Sequence, residues 1–137
     1  MGEPVIHLEH VFISIRDAET SLAFYRKFFP EWVVRWEGTT MEGERWVHFG
    51  PKGPGQPGYL SLHESRGARA PDAPYSSHRI QHVGFAHPDV DGLRAKLAKE
   101  GILPDPDERT DDGEYRRYYF VDPDGVELEF VQELKGE

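Results

Sequence analysis

The stretch HLEHVFISIRDAETSL, residues 7–22, returns in outline as RIQHVGFAHPDVDGL, residues 79–93. In both stretches a His-Val pair opens an apolar, alternating run, and an aspartate lies seven residues after the histidine. Alternation of apolar and polar residues is typical of a half-buried strand, and Asp17 and Asp89 are suited to cap the helices that follow. Aligning the two histidines also pairs the two aspartates. The sequence therefore predicts an internal repeat with a strand, a cap and a helix in each copy.

Turn residues and further apolar runs complete each copy. The first helix is expected to end at Pro30, and the second to be capped by Gly101. Each copy then reads β-α-β-β-β, with module one at about 8–64, a linker at 65–78 and module two at about 79–132, all within one domain of residues 1–137. The strands that follow the helices are predicted at 32–38, 45–50 and 58–64 in module one, and near Ile102–Leu103, at 114–121 and at 126–132 in module two.

Composition limits the classes of partner. The chain has 137 residues, no cysteine and a net charge of −9 at pH 7. An acidic chain repels phosphate backbones and anionic lipid surfaces, so neither nucleic acid nor membrane is expected as a partner. Disulfide and thiolate chemistry are excluded, and a cytoplasmic location is expected because no apolar run or signal-like N-terminus is present.

Three segments carry a resemblance to a known family: LEHVFISIRDAETSLAFYRKFF, IQHVGFAHPDVDGL and YYFVDPDGVELEFV. The chain resembles the vicinal oxygen chelate superfamily, which includes glyoxalase I, fosfomycin-resistance enzymes, extradiol dioxygenases and the metal-free bleomycin-resistance proteins. The DPDG turn, followed four positions later by an acid, is the most specific piece. The resemblance implies an α+β fold in which two β-α-β-β-β modules form an open, curved mixed sheet, a half-barrel, around a metal site.

The resemblance also implies a metal-ligand set of His10, His82 and Glu129. Strand alternation agrees, because Glu129 shares a face with Glu127, while Leu128 occupies the packed face. An acid in the middle of a core strand needs a partner, and a divalent metal supplies one. Two imidazoles and one carboxylate leave coordination positions open for substrate or oxygen.

A fourth ligand position in the family lies on the last strand of the first module. Ser61 occupies the equivalent place and is a poor ligand, so His63, on the same face, is the alternative. Glu64 is expected to be a solvated acid at the strand end. Three protein ligands resemble the fosfomycin and dioxygenase branches more than glyoxalase I, which uses a second carboxylate as base.

Arg117 and Tyr119 are predicted as catalytic residues. They share one face of the 114–121 strand, and in relatives the residue three before DPDG points into the pocket. A phenol beside a metal can hydrogen-bond a chelating oxygen or act as an acid, and Arg117 can bind an anionic group through two N–H donors. The alternative is that the Tyr118–Tyr119 pair merely favours the strand conformation.

The predicted function is that of a metal-dependent enzyme with a small-molecule substrate that carries two adjacent oxygens. The cofactor is a divalent metal ion (Fe, Mn, Zn, Ni or Co), and oxygen-dependent cleavage of a catechol-like substrate is the sharpest hypothesis. A glyoxalase-type lyase or isomerase, or a thiol transferase, is the alternative within the family. Relatives of this length imply a homodimer.

A different class of function also fits. Bleomycin-resistance proteins sequester an aromatic drug without metal, and an acidic, aromatic-rich chain suits a cationic ligand. Trp46 and His48 share a face of the 45–50 strand, where they either line a pocket or pack. The predicted metal ligands favour the enzyme over this metal-free binder.

Overall fold

The computed structural model describes residues 7–53, 55–65, 82–105 and 113–134. The chain divides into two compact units, residues 1–69 and 70–137. This division falls inside the predicted linker. Residues 66–78 of that linker lie outside the described residues, as do residues 80 and 81, the first two of a strand predicted at 80–87. That the two modules form one domain stays a prediction.

The first module contains β1 (His10–Ile15), α1 (Ala18–Phe28), β2 (Val33–Thr39), β3 (Arg45–Gly50) and β4 (Tyr59–Glu64). The strand order is β1-β4-β3-β2. β1 and β4 run parallel, whereas the β4–β3 and β3–β2 pairs are antiparallel. The four predicted strands and the helix of this module are confirmed.

The second module contains β5 (His82–Ala86), α2 (Val90–Ala98), β6 (Tyr115–Val121) and β7 (Glu127–Glu133). Its strand order is β5-β7-β6, with β5 and β7 parallel and β6 antiparallel to β7. Both modules therefore join their first and last strands in parallel, on a sheet that is otherwise antiparallel. The predicted α+β fold, with two repeated modules and open mixed sheets, is confirmed.

The predicted strand near Ile102–Leu103 is wrong. Gly101 has φ +81°, a left-handed conformation that ends the helix, and the Ile102 amide turns back to the Leu97 carbonyl at 3.0 Å. Pro104 lacks an N–H for a ladder, and only Asp105 reaches β6 among residues 102–105, through its amide to the Tyr119 carbonyl at 2.8 Å. Within the described residues the second module is thus β-α-β-β.

Both helices begin at the aspartates that the repeat predicts. The Asp17 carboxylate accepts a hydrogen bond from the Thr20 amide at 2.9 Å, and the Asp89 carboxylate accepts one from the Gly92 amide at 3.1 Å. Each satisfies an amide that has no partner inside the helix. In the described parts of the chain, no helix is long and apolar enough to span a membrane.

A side chain from each module's last strand also holds the first amide of its helix. Glu64 accepts from the Ala18 amide and from the Arg45 amide, both at 2.8 Å. In the second module Gln132 accepts from the Val90 amide at 2.9 Å. The prediction that Glu64 is a solvated acid is wrong, because this half-buried carboxylate ties α1 and β3 to β4.

The packed face of each sheet carries its helix. α1 contacts β3 and β4, and α2 contacts β6 and β7. Ile13 and Ile15 of β1 and Leu128 and Phe130 of β7 are buried. Each large apolar side chain contributes about 1.5–3 kcal/mol. The largest fully buried side chains are Ile15, Leu22, Tyr25, Val47, Phe49, Leu60 and Leu62 in the first module, and Val90, Leu97, Phe120, Leu128 and Phe130 in the second.

Candidate functional site

Each sheet has a second face, turned away from its helix and termed here its open face. On the second module, strand alternation brings charged and hydrogen-bonding side chains from all three strands to this face. Four of the predicted site residues are therefore neighbours. The second module's open face is defined by His82, Gly84, Arg117, Tyr119, Glu127 and Glu129.

His82 and Glu129 approach each other from neighbouring strands. In the parallel β5–β7 pair Gly84 lies opposite Glu129, two residues beyond His82. The His82 Nε2 atom lies 2.9 Å from Glu129 Oε1, and the two side chains are 35% and 14% exposed. An imidazole and a carboxylate that are both partly covered therefore converge on one point of the open face.

Arg117 and Tyr119 complete this cluster from β6. Arg117 Nε lies 3.2 Å from Glu129 Oε2. Tyr119 stands opposite Glu129 in the β6–β7 register, and its ring meets the His82 ring edge-on at 5.5 Å. Tyr118 points to the packed face and is 7% exposed. Of the two adjacent tyrosines, Tyr119 is thus the one beside the His82–Glu129 pair.

A second acid of β7 lies on the other side of the imidazole. Glu127 Oε1 is 3.7 Å from His82 Nδ1, and Glu127 is 8% exposed. Sequence analysis placed Glu127 on this face without a role, although two acids at a spacing of two in one strand are a readable signal. His82 thus has a carboxylate near each ring nitrogen, with Glu129 within hydrogen-bond distance of Nε2 and Glu127 beyond that distance from Nδ1.

The His82–Glu129 pair fits two positions around a divalent metal. Ligands about 2.1 Å from an ion and at right angles are about 3 Å apart, close to the observed 2.9 Å. Arg117 holds the other oxygen of Glu129, as partners outside the coordination sphere commonly do. Within the residues that the structure describes, no group of three or more His, Asp or Glu side chains could hold a metal. The His82–Glu129 pair by itself could therefore supply two ligands and not a complete metal site.

His10, the predicted third ligand, belongs to the first unit. Its Nδ1 lies 2.7 Å from Glu9 Oε1, and its ring stacks on the Tyr59 ring at 5.1 Å. A carboxylate at Nδ1 is the arrangement that leaves Nε2 to bind a metal. The hydrogen bond with His10 holds the pKa of the Glu9 carboxyl below its usual value. That His10 shares a metal with His82 and Glu129 stays a prediction.

Ser61 and His63, the candidates for a fourth ligand, are occupied by other contacts. Phe12 lies opposite Ser61 in the parallel β1–β4 pair, as Gly84 lies opposite Glu129 in the second module, so Ser61 is the equivalent of Glu129. Ser61 is buried, and its Oγ accepts a hydrogen bond from the Trp46 indole at 2.8 Å. His63 stacks on Phe12 with ring centroids 5.5 Å apart.

The first module's open face is an aromatic surface. The His48 ring lies 5.0 Å from Trp36 and 4.8 Å from Tyr59, and Trp46 contacts both Trp36 and His48. Burial lowers the pKa of His48 and raises the pKa of the Tyr59 hydroxyl. The first module's open face is defined by His10, Phe12, Trp36, Trp46, His48, Tyr59, Ser61 and His63.

Relatives with this fold are known. Metallothiol transferase FosB from Lysinibacillus sphaericus (strain C3-41) is 26% identical over 125 residues, which are 90% of this chain and 79% of that protein. A glyoxalase family protein from Enterococcus faecalis has a crystal structure that matches with TM-score 0.73 and 24% identity, over 91% of this chain and 96% of that one.

TnmS3, an antibiotic binding protein from Streptomyces sp. CB03234, matches with TM-score 0.66 and 21% identity, over 96% of this chain and 99% of that one. These two structural likenesses show the fold alone. The family match is broader, since residues 7–130 fit the Glyoxalase/Bleomycin resistance protein/Dioxygenase superfamily. That span includes both repeats and every predicted metal ligand. The chain belongs to this superfamily.

Proposed function

We propose that the chain is a metal-dependent enzyme of this superfamily and that His82 and Glu129 are two of its metal ligands. The observation that carries the proposal is the 2.9 Å approach of His82 Nε2 to Glu129 Oε1. His10 is proposed as the third ligand, on the sequence argument and on its own carboxylate-paired ring. A bound divalent ion supplies Lewis-acid stabilisation of negative charge on substrate oxygens.

The remaining residues of the cluster act on ligand geometry and on substrate. Arg117, held on Glu129 Oε2, fixes the plane of the carboxylate and keeps Oε1 on the His82 side. Tyr119 fixes the imidazole by its edge-on contact. Its phenolic hydroxyl is proposed to hydrogen-bond a substrate oxygen, and through that bond to donate or accept a proton.

The substrate is proposed to be a small molecule with two adjacent oxygens, and oxygen-dependent cleavage of a catechol-like ring is the reaction we favour. A 2-His-1-carboxylate set with open positions suits that chemistry. The relative named metallothiol transferase FosB supports the alternative, thiol transfer, within the same metal-dependent class. Oxygen uptake with a panel of catechols, set against thiol consumption with small epoxides, separates the two reactions.

Metal analysis tests the proposal. The purified protein, loaded in turn with Fe, Mn, Zn, Ni and Co and then desalted, is expected to retain about one ion per chain of at least one metal. Glu129→Gln and His82→Ala are expected to lose it. Glu133→Gln, the same change at an exposed acid of the same strand, is the matched control and should retain it. Equal retention by all four proteins would contradict the proposal.

A metal-free ligand-binding protein is the second candidate. The Arg117–Glu129 ion pair favours it, because this contact neutralises the acid without a metal. The aromatic first module's open face offers stacking surface, and the fold is also that of TnmS3, an antibiotic binding protein. No retained metal after loading, together with binding of a cationic aromatic drug, is the result that this candidate predicts.

A homodimer is proposed for either function, because the resemblance implies it. Light scattering coupled to gel filtration measures the mass directly. A mass near twice that of the 15.7 kDa chain is expected. A monomer at micromolar concentration would contradict the proposed assembly and leave the metal proposal to be judged by metal analysis.

A further inference from the structure

A cavity of about 460 Å³ opens in the first module. Its volume lies in the range of small-molecule sites and suits a single ring with substituents. Its lining combines three flat rings with one guanidinium and one carboxylate. The side chains that carry the argument are Glu9, Arg35, Trp36, His48 and Tyr59.

A β-bulge places the guanidinium in this cavity. In the β2–β3 pair Val34 lies opposite Phe49 and Trp36 lies opposite His48. Arg35 is therefore an extra residue that is not paired with a residue of β3. Bulges redirect side chains and are frequent next to functional sites.

The redirected Arg35 side chain lies over the Tyr59 ring, with Cζ 4.9 Å from the ring centroid. Its Nη1 donates to the Gln56 carbonyl at 2.6 Å. These two contacts fix the position of the guanidinium, which carries five N–H donors in all.

The aromatic walls suit a planar ligand. His48 lies between Trp36 and Tyr59, with ring centroids 5.0 and 4.8 Å away. Burial lowers the pKa of His48, so the imidazole is neutral at neutral pH and presents a flat, uncharged surface. Arg35 is therefore the cation among the described side chains that line the cavity.

Glu9 gives the cavity an acceptor. The Glu9 side chain is held in place by His10, whose Nδ1 lies 2.7 Å from Glu9 Oε1. It lies in water, where its repulsion of an anion is screened, whereas Arg35 is half-buried against Tyr59. The cavity thus offers a cation for a carboxylate and, separately, an acceptor for a hydroxyl.

We propose that this cavity binds a hydroxylated aromatic carboxylate. The ring lies against His48 and Tyr59, the carboxylate is bound by Arg35 through charge-assisted hydrogen bonds, and a ring hydroxyl donates to Glu9. Tyr59 also stacks on His10, the proposed third metal ligand, so the ligand lies next to that residue. That this ligand is the substrate rests on the proposed function, whereas the proposal that the cavity binds it does not.

Calorimetric titration of the metal-free, full-length protein tests the proposal. 4-Hydroxybenzoate is expected to bind tighter than 4-hydroxybenzyl alcohol, which has the same ring and no charge. Arg35→Gln is expected to weaken 4-hydroxybenzoate by roughly ten- to a hundredfold, the value of hydrogen bonds to a charged group, and the alcohol by less than about threefold. Arg26→Gln, at an exposed arginine of α1, is the matched control and should change neither.

Arg35→Lys keeps the cation and guards against a folding defect, so it should retain more affinity for the carboxylate than Arg35→Gln does. Equal binding of carboxylate and alcohol by the wild type, or an unchanged carboxylate affinity in Arg35→Gln, would overturn the proposal. If the protein prefers the carboxylate but retains no metal, the cavity proposal stands and the proposed metal-dependent enzyme is contradicted. If the protein retains metal but shows no preference for the carboxylate, the enzyme proposal stands and the cavity proposal is contradicted.

Discussion

The two modules place different chemistry on equivalent positions of the same scaffold. Where β1 meets β4, Phe12 lies opposite Ser61; where β5 meets β7, Gly84 lies opposite Glu129. The first module's open face is built mainly of aromatic rings in mutual contact, and the second module's open face of an imidazole, two acids, a guanidinium and a phenol. A Cβ at Gly84 would lie 3.8 Å from Glu129 Oε1. A side chain at position 84 would therefore stand beside the Glu129 carboxylate.

This difference shows that a repeat can preserve its scaffold while its open faces diverge. The helix caps, the parallel pairing of first and last strands and the acceptor at the helix start are present in both modules. None of these contacts involves an open face. Each open face is therefore able to change in sequence without loss of the contacts that stabilise its module.

The largest expected effect on stability is a difference between the two side chains that accept from the first helix amides, Glu64 and Gln132. Glu64→Ala removes a charged acceptor from two part-buried amides and should cost about 3 kcal/mol, whereas Gln132→Ala removes one neutral bond and should cost about 1 kcal/mol. Urea unfolding of both variants measures the difference. Equal losses would mean that the two acceptors are energetically equivalent despite their different contacts.

Two glycines give the next contrast. A Cβ at Gly50 would lie 2.3 Å from the Tyr59 Cβ and 3.0 Å from its Cα, so Gly50→Ala must displace backbone and should cost about 1–3 kcal/mol. Gly84→Ala, which meets Glu129 at an ordinary 3.8 Å, should change stability by less than about 0.5 kcal/mol. Thermal unfolding compares the two, and a smaller loss for Gly50→Ala would contradict this packing.

Gly84→Phe installs the residue of the first module in the second. The added ring is expected to cover Glu129 and weaken metal binding by about tenfold, or about 1.4 kcal/mol, while the module remains folded. Metal titration measures the affinity of the variant, and circular dichroism checks that it is folded. Unchanged metal affinity in a folded Gly84→Phe protein would show that access to Glu129 does not depend on this position.

The smallest expected effect is the pH dependence of the first helix cap. Hydrogen bonds from the Thr20 amide and hydroxyl lower the pKa of Asp17 from its ordinary value of 3.8. A lowered folded-state pKa means that the stabilisation is complete above pH 3.8 and is lost as the pH falls through the folded-state value. Asp17→Asn keeps the cap without the charge, so the wild type should lose more stability than this variant on acidification. Parallel acid dependences in thermal unfolding would exclude the effect.

Much of the fold was readable because its signals are local and repeated. Period-two alternation located the strands, and Asp17 and Asp89 located the helix starts. That Ser61 is the equivalent of Glu129 was inferred from the family resemblance, and the strand registers agree. The short apolar pair Ile102–Leu103 is a false strand signal, because two residues show no period and the adjoining proline cannot join a ladder.

What the sequence concealed depends on contacts between distant segments. The local sequence around Glu64 does not indicate that its carboxylate accepts from the Ala18 and Arg45 amides, which belong to other elements. The bulge at Arg35 breaks the alternation of β2 by one residue, and such a break is visible only against its partner strand. Within the candidate site, the faces of Tyr119 and Glu129 were predictable, but the 3.7 Å approach of Glu127 to His82 required coordinates.

The contact between Arg117 and Glu129 Oε2 limits how many carboxylate oxygens Glu129 can offer to a metal ion. A carboxylate whose second oxygen is engaged by a guanidinium would bind an ion through its other oxygen alone. With one nitrogen from each imidazole, the proposed ligands His10, His82 and Glu129 would hold a divalent ion through three atoms. Such a set would leave open positions for a chelating pair of substrate oxygens.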